Sequence, residues 1–314
     1  MPSVIFIHGL SNKPESNDLL NLYRRKLAFE DGFSLEDNGV ASSLVYWADV
    51  LYPSPDMDLA AYESAAGEAL EEASASPSPQ SVAAAADSPA EREFIDRLSS
   101  TLEIGPENLD PAVLTQEERA DIRHERIPLP AGLRNRLMAK FVRDAHLYFF
   151  NKEFSPRPGS TFRVRDELRR RFMDAVAAAS AGAGPVVVVS HSMGTIIAYD
   201  CLMHEPACPA IQGLMTVGSP LGLDEVQDFF PGRTALDGVP AAKLHGPWVN
   251  VYDALDVVAA ADPRLANDYL RNGLPVIEDV EEANWGTWRH SISKYLRGRK
   301  LRGKLASMIE VEWT

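Results

Sequence analysis

The chain has 314 residues, 45% of them hydrophobic, and 45 acidic against 31 basic side chains give it a net charge of −14. That length and apolar content suit one catalytic-size domain with an elaborated middle, and the acidity excludes a general nucleic-acid binder, which needs clustered positive charge. Two cysteines exclude a disulfide scaffold, and no apolar run reaches the roughly eighteen residues a membrane span requires.

Met1-Pro2-Ser3 leads into the apolar run Val4–Ile7 with no basic, cleavable leader, so the chain is expected to be cytoplasmic. The run reads as a β-strand and stops at His8-Gly9-Leu10. A helix is predicted over Glu15–Asp31 and a second strand over Leu44–Trp47, with Trp47 and Asp49 at the end that should face a crevice. From Pro53 to Ala90 the chain is rich in Ala, Ser, Pro and acids and has no Lys or Arg, the composition of a mobile loop, with disorder expected at about 74–88. A helix-like Arg92–Leu102 and an acidic stretch at Thr115–Glu118 follow. Arg134–Phe150 then reads as a basic, aromatic-ended amphipathic helix, which either packs its apolar side on the body or serves as a cap, with contact at a membrane surface the lesser alternative.

The periodicity returns to core elements with a helix over Arg163–Ala181 and the strand Val186–Val189, whose four valines suit a parallel strand covered on both faces. A helix-like stretch begins at Thr195, and Cys201 and Cys208, on and just past it, read as buried or reduced thiols. Strands are predicted at Leu214–Gly218 and Trp248–Asp253, and a last helix over Ser291–Glu310 whose basic run, Arg297 to Lys304, reads as a solvated face. This alternation predicts an α/β fold with a mostly parallel sheet flanked by helices. Residues 1–52 and 160–314 would form its core and 53–159 a largely helical, partly flexible insertion.

Between the valine strand and the helix lies Ser190-His191-Ser192-Met193-Gly194, a serine at the apex of a sharp turn. Such an elbow lifts the Ser192 hydroxyl clear of the backbone and leaves the Met193 N–H at a helix start, where unpaired amides favour negative charge. A hydroxyl needs a base to become a nucleophile, and acids and histidines follow in a suggestive order. The strand at Trp248 runs into Asp253-Ala254-Leu255-Asp256-Val257, and Trp288-Arg289-His290 precedes the last helix. No metal-ligand spacing, P-loop or dinucleotide fingerprint occurs, so no cofactor is expected.

The H-G turn after the first strand, the S-x-S-x-G elbow and the chain order Ser192, Asp256, His290 resemble an α/β-hydrolase of the lipase and serine-esterase type. The resemblance covers both ends of the chain and departs from G-x-S-x-G at Ser190, which puts a second hydroxyl in the turn. It implies an α/β-hydrolase fold with Ser192 as nucleophile, Asp256 as acid, His290 as base, and the Leu10 and Met193 N–H groups as the oxyanion hole. Asp253, nearer the strand end, stays open as the acid. Of the seven histidines, His8 is assigned to shaping the oxyanion loop, His191 flanks the nucleophile, His245 precedes the acid and breaks the order, and His124, His146 and His204 have helical or insert-like surroundings. His8, Gly9, His191, Trp47 and Asp49 are the candidate pocket residues. The implied activity is hydrolysis of a small-molecule or lipid carboxylic ester, and the same triad could serve a thioesterase, amidase or phospholipase. A non-catalytic scaffold is the alternative from another class, and the oligomeric state is left open.

Overall fold

The structure is a computed structural model that describes residues 1–56, 82, 84, 86–103, 131–230, 238–259, 262–286 and 288–313. Its strands are β1 (Ser3–Ile7), β2 (Ala41–Val45), β3 (Glu153–Arg157), β4 (Ser160–Arg163), β5 (Val186–His191), β6 (Gly213–Val217), β7 (Trp248–Tyr252), β8 (Leu270–Arg271), β9 (Leu274–Pro275) and β10 (Ile277–Glu281). Six of them form one sheet in the order β10-β7-β6-β5-β1-β2, with every neighbouring pair parallel.

The valine run is explained by what covers that sheet. Ile5, Ile7, Val186, Val188, Leu214 and Trp248 belong to one apolar layer, and Val4, Phe6, Val187, Val189, Met215, Val217, Val249 and Val251 to the other. Successive side chains of a strand point to opposite faces, so a strand buried on both must be apolar throughout. The helices are α1 (Ser16–Leu27), α2 (Ala48–Leu51), α3 (Pro89–Glu103), α4 (Ala131–Phe149), α5 (Val164–Ser180), α6 (Met193–His204), α7 (Asp224–Gln227), α8 (Ile292–Tyr295) and α9 (Arg299–Met308). Residues of α3 to α6 join the first layer, and residues of α1, α8 and α9 the second.

Winding direction places the crevice. The chain passes from β1 outward to the edge strand β2, returns to β5 on the other side of β1, and then continues through β6 and β7 to β10. The sense of the connections therefore reverses between β1 and β5, and open α/β sheets open a crevice beyond the carboxyl ends of such a strand pair.

Several elements differ from the sequence reading. The second strand starts earlier and stops at Val45, because Trp47 leaves the sheet as the N-cap of α2 and gives its backbone N–H to His8. Strand β10 was not predicted: its apolar residues Ile277 and Val280 break period-2 alternation, and Asp279 is held by β7 through Asn250 Nδ2 at 2.8 Å. The expected last helix is two helices. Gly298 lies in extended backbone between them, a Cβ there would stand 2.4 Å from the Glu282 carboxylate, and that carboxylate accepts the Leu301 N–H at 3.0 Å. The basic run is only partly a solvated face: Arg302 is buried, and its guanidinium caps α1 through the Lys26 and Phe29 carbonyls, both at 2.9 Å.

The amphipathic helix is α4, with Leu137, Met138, Phe141, Val142, Ala145, Tyr148 and Phe149 all buried in the first layer. Its apolar side is thus taken up inside the molecule. The boundary drawn between 159 and 160 falls within the β3–β4 hairpin. Most of 74–88, the acidic stretch at Thr115–Glu118 and His124 lie outside the described residues. Among the described residues no helix is long and apolar enough to cross a membrane, and no group of three or more His, Cys, Asp or Glu could hold a metal ion. Cys201 and Cys208 are both buried free thiols.

Candidate active site

Ser192 stands between β5 and α6 with φ 52° and ψ −126°. A side chain with a Cβ disfavours this region, so the turn is strained, and the surrounding structure must hold it. Two contacts do so. Ser192 N–H donates to the Val217 carbonyl of the neighbouring strand at 3.0 Å, and α6 is pressed against β1 at Gly194, where a Cβ would lie 2.7 Å from the His8 carbonyl oxygen. The final glycine of S-x-S-x-G is therefore a requirement of helix–strand contact. Ser190, in place of the first glycine, fits because its hydroxyl donates to the Met215 carbonyl at 3.1 Å, which removes it as a competing nucleophile. Ser192 Oγ is buried and forms no hydrogen bond among the described residues.

The turn after β1 closes over this elbow. A Cβ on Gly9 would lie 2.7 Å from Ser192 Cβ and 2.8 Å from His191 Nδ1, so only glycine lets the two loops approach this closely. His8 fixes the turn. It accepts the Trp47 backbone N–H at Nε2 (2.9 Å), donates from Nδ1 to the Gly9 carbonyl (2.7 Å), and its own carbonyl accepts Trp47 Nε1–H (3.0 Å). These bonds demand one neutral tautomer, and burial, together with the charges of Lys13 and Arg171, holds the His8 pKa well below its ordinary value. Trp47 stacks on the His8 ring at 4.5 Å and is wholly buried.

The acid and the base come from the far side of β6. His290 Nδ1 donates to both Asp256 oxygens at 2.8 Å. Asp256 Oδ1 also accepts the Val258 N–H at 2.9 Å, and Oδ2 the Tyr295 hydroxyl at 2.8 Å. Burial disfavours the carboxylate, but the His290 charge and these donors outweigh it, so the Asp256 pKa falls below the usual range. Asp253 has another task. Its Oδ1 accepts the Leu255 N–H, and its Oδ2 accepts the Asn284 N–H at 2.7 Å and Arg289 Nη1 at 3.2 Å, which ties the His290 loop to β7. Burial pushes Asp253 up to about 6 in spite of Arg289.

Of the residues proposed from sequence, the structure hydrogen-bonds Asp256 to His290 and puts Ser192 one residue from His191, whose ring is 4.6 Å from that of His290. His191 Nε2–H donates to the His290 carbonyl at 2.9 Å, and burial with the neighbouring His290 and Lys13 charges keeps His191 neutral. Met193, the first residue of α6, has no intrahelical acceptor for its N–H, and Leu10 is buried in the turn beside it. The Asp49 carboxylate pairs with Arg171 of α5, which ties α2 to that helix. Of the other described histidines, His146 pairs with Glu91, His204 pairs with Asp200, and the His245 backbone N–H donates to the Ile211 carbonyl at 3.0 Å. Sequence reasoning missed Tyr295, Asn284 and Arg289, whose parts depend on tertiary contact and carry no local pattern.

No protein-family model matches the chain, and no curated protein does. Among solved structures it is similar to acetyl xylan esterase 1 from Thermoanaerobacterium sp. JW/SL YS485, at 13% identity and a TM-score of 0.32, over 99% of this chain and 74% of that one. A likeness at that level leaves the chemistry to be argued from the side chains themselves.

Proposed function

We propose that the chain is a serine hydrolase of the α/β-hydrolase type that cleaves a carboxylic ester through an acyl-enzyme on Ser192. The observation that carries this reading is the strained Ser192 backbone, φ 52° and ψ −126°, at the carboxyl end of β5, with the Asp256–His290 pair, from the loops after β7 and β10, packed against Gly218 just past the neighbouring β6. A strained elbow is retained where it presents a reactive group, and an oriented imidazole supplies the base such a hydroxyl lacks. In this mechanism His290, held in its Nδ1–H tautomer by Asp256, takes the Ser192 proton at Nε2 as Oγ attacks the ester carbonyl. The Leu10 and Met193 N–H groups stabilise the tetrahedral oxyanion. The protonated imidazole gives its proton to the departing alcohol, and a water activated by the same base then releases the acid.

Ser192 is 0% and His290 1% exposed, so substrate reaches the hydroxyl only when a covering segment moves aside. We assign that cap role to the insertion 53–159, over a core of 1–52 and 160–314, with α3 and α4 as the part that anchors it in the first layer.

The test is hydrolysis of p-nitrophenyl esters from acetyl to palmitoyl, paired with a fluorophosphonate probe. Turnover with stoichiometric labelling of Ser192 is the expected result, and an intact protein that neither turns over any ester nor takes the label overturns the proposal. The Gly9 contact gives a second prediction. Gly9→Ala must push the β1 turn off the elbow, because a 2.7 Å approach to Ser192 Cβ leaves no room, and the Leu10 donor moves with it. Loss of one oxyanion donor costs about 10²–10³ in kcat. Steady-state kinetics on the best ester should show that fall, and a variant within twofold of wild type would remove Leu10 from the oxyanion hole.

A further inference from the structure

We infer that Tyr295 is a positioning residue of this site, its hydroxyl steering Asp256 and through it the basicity of His290; the inference rests on the ester-hydrolase reading of Ser192, Asp256 and His290. A carboxylate offers about four acceptor positions. At Asp256 they are taken by His290 Nδ1–H, by the Val258 and Ala259 N–H groups, and by Tyr295. The two amides lie within the loop of Asp256 itself and move with it. Tyr295 comes from α8, and its bond reaches across from the helix that follows the His290 loop.

The hydroxyl proton has a fixed direction. Tyr295 Oη accepts the Asp253 backbone N–H at 2.9 Å, which turns its own proton toward Asp256 Oδ2, 2.8 Å away. The ring is wholly buried in the second layer, so it cannot swing to another partner without disrupting that layer. The result is a one-way relay from the β7 end through the phenol to the acid. A donor on Oδ2 draws charge away from the carboxylate, which then stabilises a protonated His290 less and sets the base at lower pKa.

Other charged and titratable groups surround the pair: Asp253 with Arg289, His191 against the His290 ring, His8 and Lys13 beyond it, and Lys294, whose ammonium donates to the Trp285 and Trp288 carbonyls. Burial above all holds the His8 and His191 pKa values well below the ordinary imidazole range.

Tyr295→Phe keeps the ring and removes only the relay. Its expected effect is a fall in kcat of about tenfold, because Asp256 and the imidazole it holds lose the bond that orients them, with KM unchanged and the acid limb of the kcat/KM profile moved to higher pH. Placing 3-fluorotyrosine at 295 alone makes a more acidic, stronger donor, and the same limb should move to lower pH. Opposite displacements by the two variants cannot come from loosened packing. An acid limb that stays in place in both variants, or moves the same way in both, overturns the inference while leaving Ser192-dependent turnover standing. Loss of the triad reading would show separately, as wild-type protein that fails to label at Ser192.

Discussion

Ser192→Ala is expected to lower ester turnover by about a millionfold while leaving the melting temperature unchanged or slightly raised. The two halves of this expectation have different causes. Activity falls because neither neighbouring hydroxyl of the elbow can take the place of Oγ: Ser190 donates to the Met215 carbonyl, and Thr195 is bound to the Ser192 carbonyl and to Ser219. Stability holds because Oγ is buried without a hydrogen-bond partner among the described residues, so removing it deletes an uncompensated polar group rather than an interaction. Alanine retains the Cβ, so the strain at φ 52° is neither relieved nor increased. Thermal denaturation and single-turnover kinetics on one preparation check both halves. Turnover near wild type would remove Ser192 from the mechanism, and a melting temperature lowered by more than about 2 °C, roughly 1 kcal/mol for a chain of this size, would mean that the hydroxyl is structural.

The parts of this arrangement legible in the sequence are those that short-range pattern controls. Four valines in succession announce a strand covered on both faces, and a small-residue turn with a serine at its apex announces the elbow. The acid was narrowed to two positions, because Asp253 and Asp256 both follow β7 and only the direction of each side chain separates their roles. Direction is a tertiary property. The same holds for Trp47, whose backbone N–H leaves β2 for a histidine 39 residues away, and for Asp49, claimed by an arginine on α5. The break in the last helix depends on Glu282, a residue of the preceding connection, and Gly298 alone does not announce it. Strand β10 escaped detection because an edge strand needs only part of its residues apolar, and its inward Asp279 is made tolerable by Asn250 and by the Leu265 and Ala266 N–H groups.

The two aspartates can be told apart by replacing each with asparagine. In Asp256→Asn the new amide turns an N–H₂ group toward His290, whose Nδ1 can then meet it only as an acceptor. The ring proton must move to Nε2, the atom that should receive the Ser192 proton, and kcat falls by about 10⁴-fold from the wrong tautomer alone. KM stays close to wild type, because the acid touches no part of the substrate. The replacement also leaves the Val258 or the Tyr295 donor short of an acceptor, a cost of about 1–3 kcal/mol that thermal denaturation should register. Asp253→Asn has the opposite profile. This carboxyl holds Asn284 and Arg289 and does not touch the imidazole, and burial already raises its pKa to about 6. Its folded pKa exceeds the unfolded value, so below that unfolded value its ionisation costs the fold nothing, and the penalty grows as pH rises toward 6. Replacing it with a neutral amide removes that penalty, loosens the His290 loop, and should lower kcat far less than Asp256→Asn does. A gap in kcat of at least a hundredfold between the two variants assigns the acid to Asp256, and equal losses in two well-folded proteins would return the choice to Asp253.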